Sequence, residues 1–399
     1  MNVYYDLNKR EWIAIEQSNR YTLGRTNVSL SACPVFSDLT DHPSFQLKSN
    51  NKNFGPLIGI LTVEKEDGSL AGNGSLFVKI QQELISNDSI SVLFTPKGLA
   101  ESKPTGYLFW PEKQKWIKVL SPLPHVVYNR IPSRNAEQTP QVLAVLEKLR
   151  KLAIPYFNPH FLDKSLLYNC LGKYPQLQEY LPDTILIKSK ETLHSFLVEK
   201  VSLYLKPSLS FQGKGIYRVH FTGDQQIHIK GIDGDFFYPS MDEFWLDWAN
   251  RLTSQRYIAQ QEITSSKING HRFDFRILAH ALGKSEKYVV TGVGIRQSNS
   301  QEITTHLATG GTIIPYDTIR SDEHDHFIEK VVQACGKALT EEFGFFGEFS
   351  IDATQTETGS YYIFEINSKP MAFDETTIEL KRLDHLTKLF FQLSGFNQL

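Results

Sequence analysis

Short apolar runs and amphipathic stretches alternate along the chain, and their periods predict different elements. Residues 2–15, "NVYYDLNKREWIAI", alternate around an Asp-Leu-Asn-Lys turn and predict a small hairpin. The polar stretch "SDLTDHPSFQLKSNNKN" that follows (37–53) reads as loop and linker. The unbroken apolar run Leu57–Val63 predicts a buried parallel strand. Residues 75–87 place Leu76, Phe77, Ile80, Leu84 and Ile85 on one side of a helix. "SISVLFTP" and "HVVYNRI" predict two more strands, and residues 139–154 another helix. Strand, helix, strand makes this a small α/β unit ending near residue 155.

Beyond Pro155 the pattern changes. "DKSLLYNCLGKY" and "SKETLHSFLVEK" predict helices, while residues 256–263, "FDFRILAHAL" and "KYVVTGVGIRQ" predict strands. Residues 324–344 have helical apolar spacing and end on Gly344. "FFGEFSIDAT" and "SYYIFEINS" predict a last strand pair, joined by the turn-forming "QTETG". Between "SKETLHSFLVEK" and residues 256–263, "LYLKPSLSFQGKGIYRV" (203–219) predicts two strands around a glycine-bearing loop. The resulting division is 1–52 as a β-rich extension and linker, 53–155 as an α/β domain, and 156–255 and 256–399 as two α+β units.

Composition narrows the function classes. A length of 399 residues suits two or three domains. A formal net charge of −2 provides no global field for nucleic acid, so no nucleic-acid partner is expected. Cys33, Cys170 and Cys335 are far apart and odd in number, which predicts buried thiols and a reducing compartment. The N-terminus lacks a signal-peptide pattern, and no apolar run approaches the ~20 residues of a membrane helix. A soluble intracellular protein is expected.

The carboxylates give the first chemical clue. Glu365 and Asn367 lie two apart on one predicted strand and share a face, with Asp352 on the strand before. If the hairpin sets Asp352 opposite Tyr361, Glu348 falls opposite Glu365 and all four polar groups share that face. Like charges set opposite one another need a neutraliser, and Mg²⁺ accepts carboxylate and amide oxygens together with phosphates. The alternative is that these groups face solvent; the apolar frame "YYIFEINS" argues for a core strand instead.

Cations supply the second clue. Lys206 ends an apolar strand, and Lys164 sits where a helix should begin. Arg276 and Arg296 interrupt apolar strands, where a buried guanidinium needs an anion. The loop "SFQGKGIYR" is neither GxxxxGK[ST] nor GxGxxG, but between antiparallel strands its glycines let backbone N–H groups approach phosphate. HEXXH, GXSXG and a cysteine–histidine signature are absent.

Taken in order, these features resemble the YheC/YheD family of endospore-coat-associated ATP-grasp proteins. The carriers are "VVYNRIPSRNAE", "NPHFLDK", "LPDT", "YLKP" with "GKGI", "YIAQQEI", "FDFRILAH", Gly310–Gly311 and "IFEINSKP". The resemblance implies an α+β, ATP-grasp fold in which two subdomains grip ATP, preceded by the small α/β domain. It implies that Lys164 and Lys206 contact the phosphates and that Gly213, Lys214 and Gly215 form a covering flap. The backbone of Gln261, Glu262 and Ile263 would read the adenine edge. Arg276 and Arg296 would stabilise the transferred phosphate, and Asp352, Glu365 and Asn367 would hold Mg²⁺. The fold's usual chemistry implies a carboxylate–amine ligase working through an acylphosphate, with a coat peptide or protein as a candidate substrate in a sporulating cell. A structural coat protein that binds ATP without turnover, and a phosphotransferase, remain open. Three positions depart from the family pattern: Ser210-Phe211 in the flap, His306, and His125 before "VVYNR".

Overall fold

The computed structural model describes residues 1–15, 21–32, 41–209, 214–222, 224–298 and 311–396. Cys33, Ser210-Phe211, Gly213, His306 and Gly310 lie outside the described residues. The N-terminal hairpin forms as predicted: Asn2–Asp6 pairs antiparallel with Glu11–Ala14, with Val3 opposite Ala14. The stretch read as loop and linker is instead built into sheets. Ser44–Gln46 pairs with the first strand, and Lys48–Asn50 forms a hairpin with Asn53–Gly55. Its polar residues conceal Phe45 and Leu47, which are buried in one core with Tyr5, Trp12, Leu57 and Val92. Trp12 Nε1 donates to Leu120 O at 2.8 Å, and Leu120 N donates to Tyr5 Oη at 2.9 Å, so two hydrogen bonds fasten the hairpin to the next unit.

Leu57–Leu61 lies central in a six-stranded sheet, fully buried and parallel to Ile90–Phe94 and Val126–Asn129. Helix Gly74–Ser86 covers it with Leu76, Phe77, Ile80 and Leu84. The antiparallel hairpin Thr105–Trp110 and Lys115–Leu120, which the pattern did not predict, forms one edge.

A second six-stranded sheet is antiparallel throughout. Its order is Thr184–Leu186, Tyr257–Gln261, Ser202–Pro207, Tyr217–Phe221, Ile227–Gly231 and Gly234–Tyr238. Helices Lys190–Lys200 and Met241–Ser254 bury Leu193, Leu197, Phe244, Trp248 and Leu252 in its core. The flap strands Ser202–Pro207 and Tyr217–Phe221 pair as predicted, with Leu203 opposite Val219.

The third large sheet runs Thr312–Pro315, Tyr288–Gln297, His271–Ala281, Glu348–Gln355 and Tyr361–Asn367. Helix Asp322–Phe343 packs its apolar stripe, including Phe327, Val331 and Leu339, into the core. Its N-cap Ser321 accepts a hydrogen bond from His324 N, and Gly344 at φ 98° terminates it. The C-terminal helix Thr376–Ser394 returns across the molecule. The described residues thus form an α+β fold, and among them no helix is long and apolar enough to cross a membrane.

Candidate active site

Strand register places the chemistry. Asp274 lies opposite Arg296, Arg276 opposite Asp352, Asp352 opposite Glu365, and Ser350 opposite Asn367. Directly paired residues share a face, so Asp274, Arg276, Arg296, Asp352, Glu365 and Asn367 all project from one side of the sheet. The register differs from the expected one. A bulge after Asp352 shifts the pairing so that Tyr361 faces Gln355 and Asp352 meets Glu365 directly. Glu348 is therefore not opposite Glu365; it lies about 13 Å along the strand from Asp352, at ~3.3 Å per residue.

A cleft between this face and the second sheet is lined by Lys206, Gln261, Ile263, Arg276, Arg296, Asp352 and Glu365. Tyr204, Ile216, Gln260, Arg272, Asp274 and Phe364 complete much of its wall, and the sequence reading singled out none of these. Asp274 was legible in principle, because it precedes Arg276 by two in the alternating "FDFRIL".

Lys206 comes from the middle sheet. Its Nζ donates to Gln260 Oε1 at 2.5 Å and lies 5.8 Å from the ring centroids of Tyr204 and Phe364. Gln260 is fixed in turn by donating from Nε2 to Thr184 Oγ1. Burial lowers the Lys206 ammonium to about 8; Glu365 opposes the shift and Lys164 adds to it. Lys164 opens helix Lys164–Leu171, whose N-cap Asp163 accepts from Leu166 N at 3.1 Å. Its backbone N donates to Ser208 O, which draws the helix start to the end of the Lys206 strand. Its ammonium pairs with Glu365. Lys164 and Lys206 therefore converge on the same carboxylate from two elements.

Arg276 and Arg296 are both 8 % exposed. The Arg276 guanidinium stacks 5.0 Å from the Phe373 ring centroid, and Arg296 Nη2 reaches Asp374 Oδ2 at 3.3 Å. The Nε of each is buried without a hydrogen-bond partner. Burial and the neighbouring Arg276 lower the Arg296 pKa. Two adjacent buried guanidinium groups with unused donors are costly unless an anion enters.

Asn367 Nδ2 donates to Asp352 Oδ2 at 3.0 Å, so the two predicted strands bring Asp352, Glu365 and Asn367 together. Among the described residues no three His, Cys, Asp or Glu side chains group as a metal site. Two carboxylates and an amide are nonetheless hard oxygen donors, a set suited to Mg²⁺ that draws its remaining ligands from phosphate and water.

Flap and linker are only partly as expected. Gly215 has φ 71°, and a Cβ there would lie 3.0 Å from both Pro207 Cγ and Tyr257 Oη. Only glycine suits that close approach. Lys214 beside it is exposed. The N–H of Gln261 donates to Asp183 O and that of Glu262 to Ser202 O, so neither amide is open to an adenine edge. Tyr257–Gln261 is a strand in the middle sheet, and its ladder takes these donors. The Glu262 carboxylate instead holds Arg218 Nε at 2.8 Å.

Glu348 belongs to a separate buried network. Arg382 Nε and Nη2 donate to its two oxygens at 2.9 and 2.8 Å, Tyr128 Oη donates to it, and Arg130 lies 3.4 Å away. Burial opposes its ionisation, but Arg382, His280 and Arg130 hold its pKa well below the usual carboxylate range. His125 is also structural: its Nδ1 accepts from Leu57 N, and burial lowers it to about 4.

The sequence profile of the YheC/D-like ATP-grasp family matches residues 153–393. Endospore coat-associated protein YheD of Bacillus subtilis (strain 168) is 28 % identical over 286 residues, covering 68 % of this chain and 62 % of YheD. YheC of the same organism is 22 % identical over 267 residues, covering 64 % and 73 %. The match thus spans about three-fifths of YheD's length. Among solved structures, D-cycloserine synthetase DcsG has a TM-score of 0.52 at 13 % identity, covering 84 % of this chain and 99 % of that one. D-alanine–D-alanine ligase from Bacillus anthracis has a TM-score of 0.51 at 12 % identity, covering 86 % and 99 %. The structural likeness at such identity speaks to the fold alone, whereas the profile covers more than half of the sequence: the chain belongs to the YheC/D-like ATP-grasp family.

Proposed function

We propose that this chain binds MgATP in the cleft and uses it to activate a carboxylate for attack by an amine. The observation that carries the reading is the convergence of Lys164, Lys206, Arg276 and Arg296 on the face that presents Asp352, Glu365 and Asn367. Family membership favours ATP as the anion those cations receive.

In this reading Lys206 and Lys164 bind the phosphate chain, and the Lys214–Gly215 segment covers it. Adenine is read by the carbonyl side of Gln261 and by Ile263, since the Gln261 and Glu262 amides are taken. Asp352, Glu365 and Asn367 would hold Mg²⁺, which neutralises charge on the β- and γ-phosphates when bound. Arg276 and Arg296 direct their unused Nε donors at the transferred phosphoryl group. A substrate carboxylate oxygen attacks the γ-phosphorus and ADP leaves. The amine then attacks the acyl carbon of the acylphosphate, and phosphate departs. Positioning and charge neutralisation carry the catalysis, so no protein nucleophile is needed. The names of the Bacillus subtilis relatives favour a role in sporulation and a coat peptide or protein as substrate.

The test supplies MgATP, a pool of spore-coat peptides and hydroxylamine. A ligase releases ADP and accumulates hydroxamate, and Asp352→Asn abolishes both. Binding without ADP release selects the structural coat reading. ADP release with phosphate transferred to a hydroxyl selects the phosphotransferase.

A further inference from the structure

The segment after the Tyr361–Asn367 strand carries a carboxylate, Glu375, that has no hydrogen-bond partner and whose charge acts on Arg296. Glu375 is the N-cap residue of helix Thr376–Ser394, yet its side chain makes no capping hydrogen bond. Both of its carboxylate oxygens are buried and neither has a hydrogen-bond partner. A buried ionised carboxylate without a donor is strongly disfavoured.

Its place in the sheet is fixed by a glycine. A Cβ added to Gly294 would lie 2.4 Å from Glu375 Oε1, so the carboxylate rests directly over that bare backbone. Gly294 is the cross-strand partner of Arg276 and stands two residues before Arg296 on the same face. The carboxylate is therefore set on the sheet face from which Arg276 and Arg296 project. Neither arginine donates to it: Arg296 Nη2 goes to Asp374, and both Nε atoms remain unused. Unused donors and an unused acceptor thus share one face of the sheet without bonding each other. Such an arrangement suits a ligand pair of opposite charge, with an anion on the guanidinium groups and an N–H donor on Glu375.

We propose that Glu375 is the recognition site for the amine substrate, and that Gly294 is glycine to make room for it. This rests on the ligase reading, in which the amine must approach the phosphoryl group held by the arginines. The Glu375 carboxylate takes one proton from the ammonium. The freed nitrogen lone pair attacks the acyl carbon, forming the C–N bond as the C–O bond to phosphate breaks. The departing phosphate takes the bonding pair and the second amine proton.

The test titrates the full chain with methylammonium, glycine ethyl ester and 1,3-diaminopropane, and with their N-acetyl counterparts. Melting temperature is read with and without MgADP and inorganic phosphate. The amines raise it saturably and the acetylated compounds do not. Glu375→Gln and Gly294→Ala each weaken the apparent amine affinity about tenfold, the size of a lost charge-assisted hydrogen bond. Equal responses to amine and acetylated compound, no response in the wild type, or unchanged affinity in Glu375→Gln overturn the proposal. The MgATP shift is read in parallel. Its absence with the amine response intact refutes the nucleotide reading alone.

Discussion

Lys206 offers a pH-dependent handle on the nucleotide site. Its ammonium titrates near 8 because burial disfavours the charged form, while the phosphate chain requires that form. Well below pH 8 the lysine is already charged and MgATP affinity is flat. Above it, binding must first recharge the amine, and the apparent Kd grows as one plus ten to the power of pH minus 8. That gives about a twofold loss at pH 8 and about a tenfold loss at pH 9 relative to pH 7. Titrations from pH 7 upward avoid the phosphate's own ionisation near ~6. Lys206→Arg keeps the charge and flattens the profile, because guanidinium does not titrate in this range. Calorimetric Kd values at half-unit intervals measure the effect. A wild-type profile flat from pH 7 to 9, or a slope unchanged in Lys206→Arg, refutes the assignment of Lys206 to the phosphates.

Other consequences are structural. Arg382→Met removes the guanidinium that donates to both oxygens of the fully buried Glu348 and should cost about 3–5 kcal/mol in urea unfolding. Adding Glu348→Leu should recover part of that loss, and a single-mutant cost below ~1 kcal/mol contradicts the pairing. Gly215→Ala places a side chain at φ 71° against Pro207 and Tyr257, so MgATP affinity should fall along with ~1–2 kcal/mol of stability. Unchanged affinity there removes the segment from the phosphate site. Cys170 and Cys335 are buried with thiols pushed up by burial, Cys170 to about 11, so both should resist alkylation at pH 8 until the chain unfolds. Rapid modification of either in the folded protein contradicts that burial.

What the sequence revealed follows from which interactions are local. The helices and strands carrying Lys164, Lys206, Arg276, Arg296 and Asp352 were legible because apolar periodicity reports burial directly. The Asp352–Glu365 pairing was not, since the bulge after Asp352 leaves no mark in an alternating pattern. Strands within 44–55 were missed because their side chains alternate around polar residues with single buried anchors such as Phe45 and Phe54. Arg382 stood in reach of inspection: it interrupts an apolar helix stripe with Ile378 and Leu386, four residues to either side. Glu375 had no such signal. Its partnerless carboxylate depends on Gly294, which is 81 residues away in sequence and adjacent only through the fold.

The central claim is that the cations and carboxylates of the cleft form one MgATP site. Its most direct test is MgATP-induced thermal stabilisation of the wild type beside Asp352→Asn. At a hundred times its Kd the nucleotide should add about 2.7 kcal/mol and raise the melting temperature saturably, with a markedly weaker response in the variant. No stabilisation of the wild type at saturating MgATP, or an equal response in Asp352→Asn, would contradict the account.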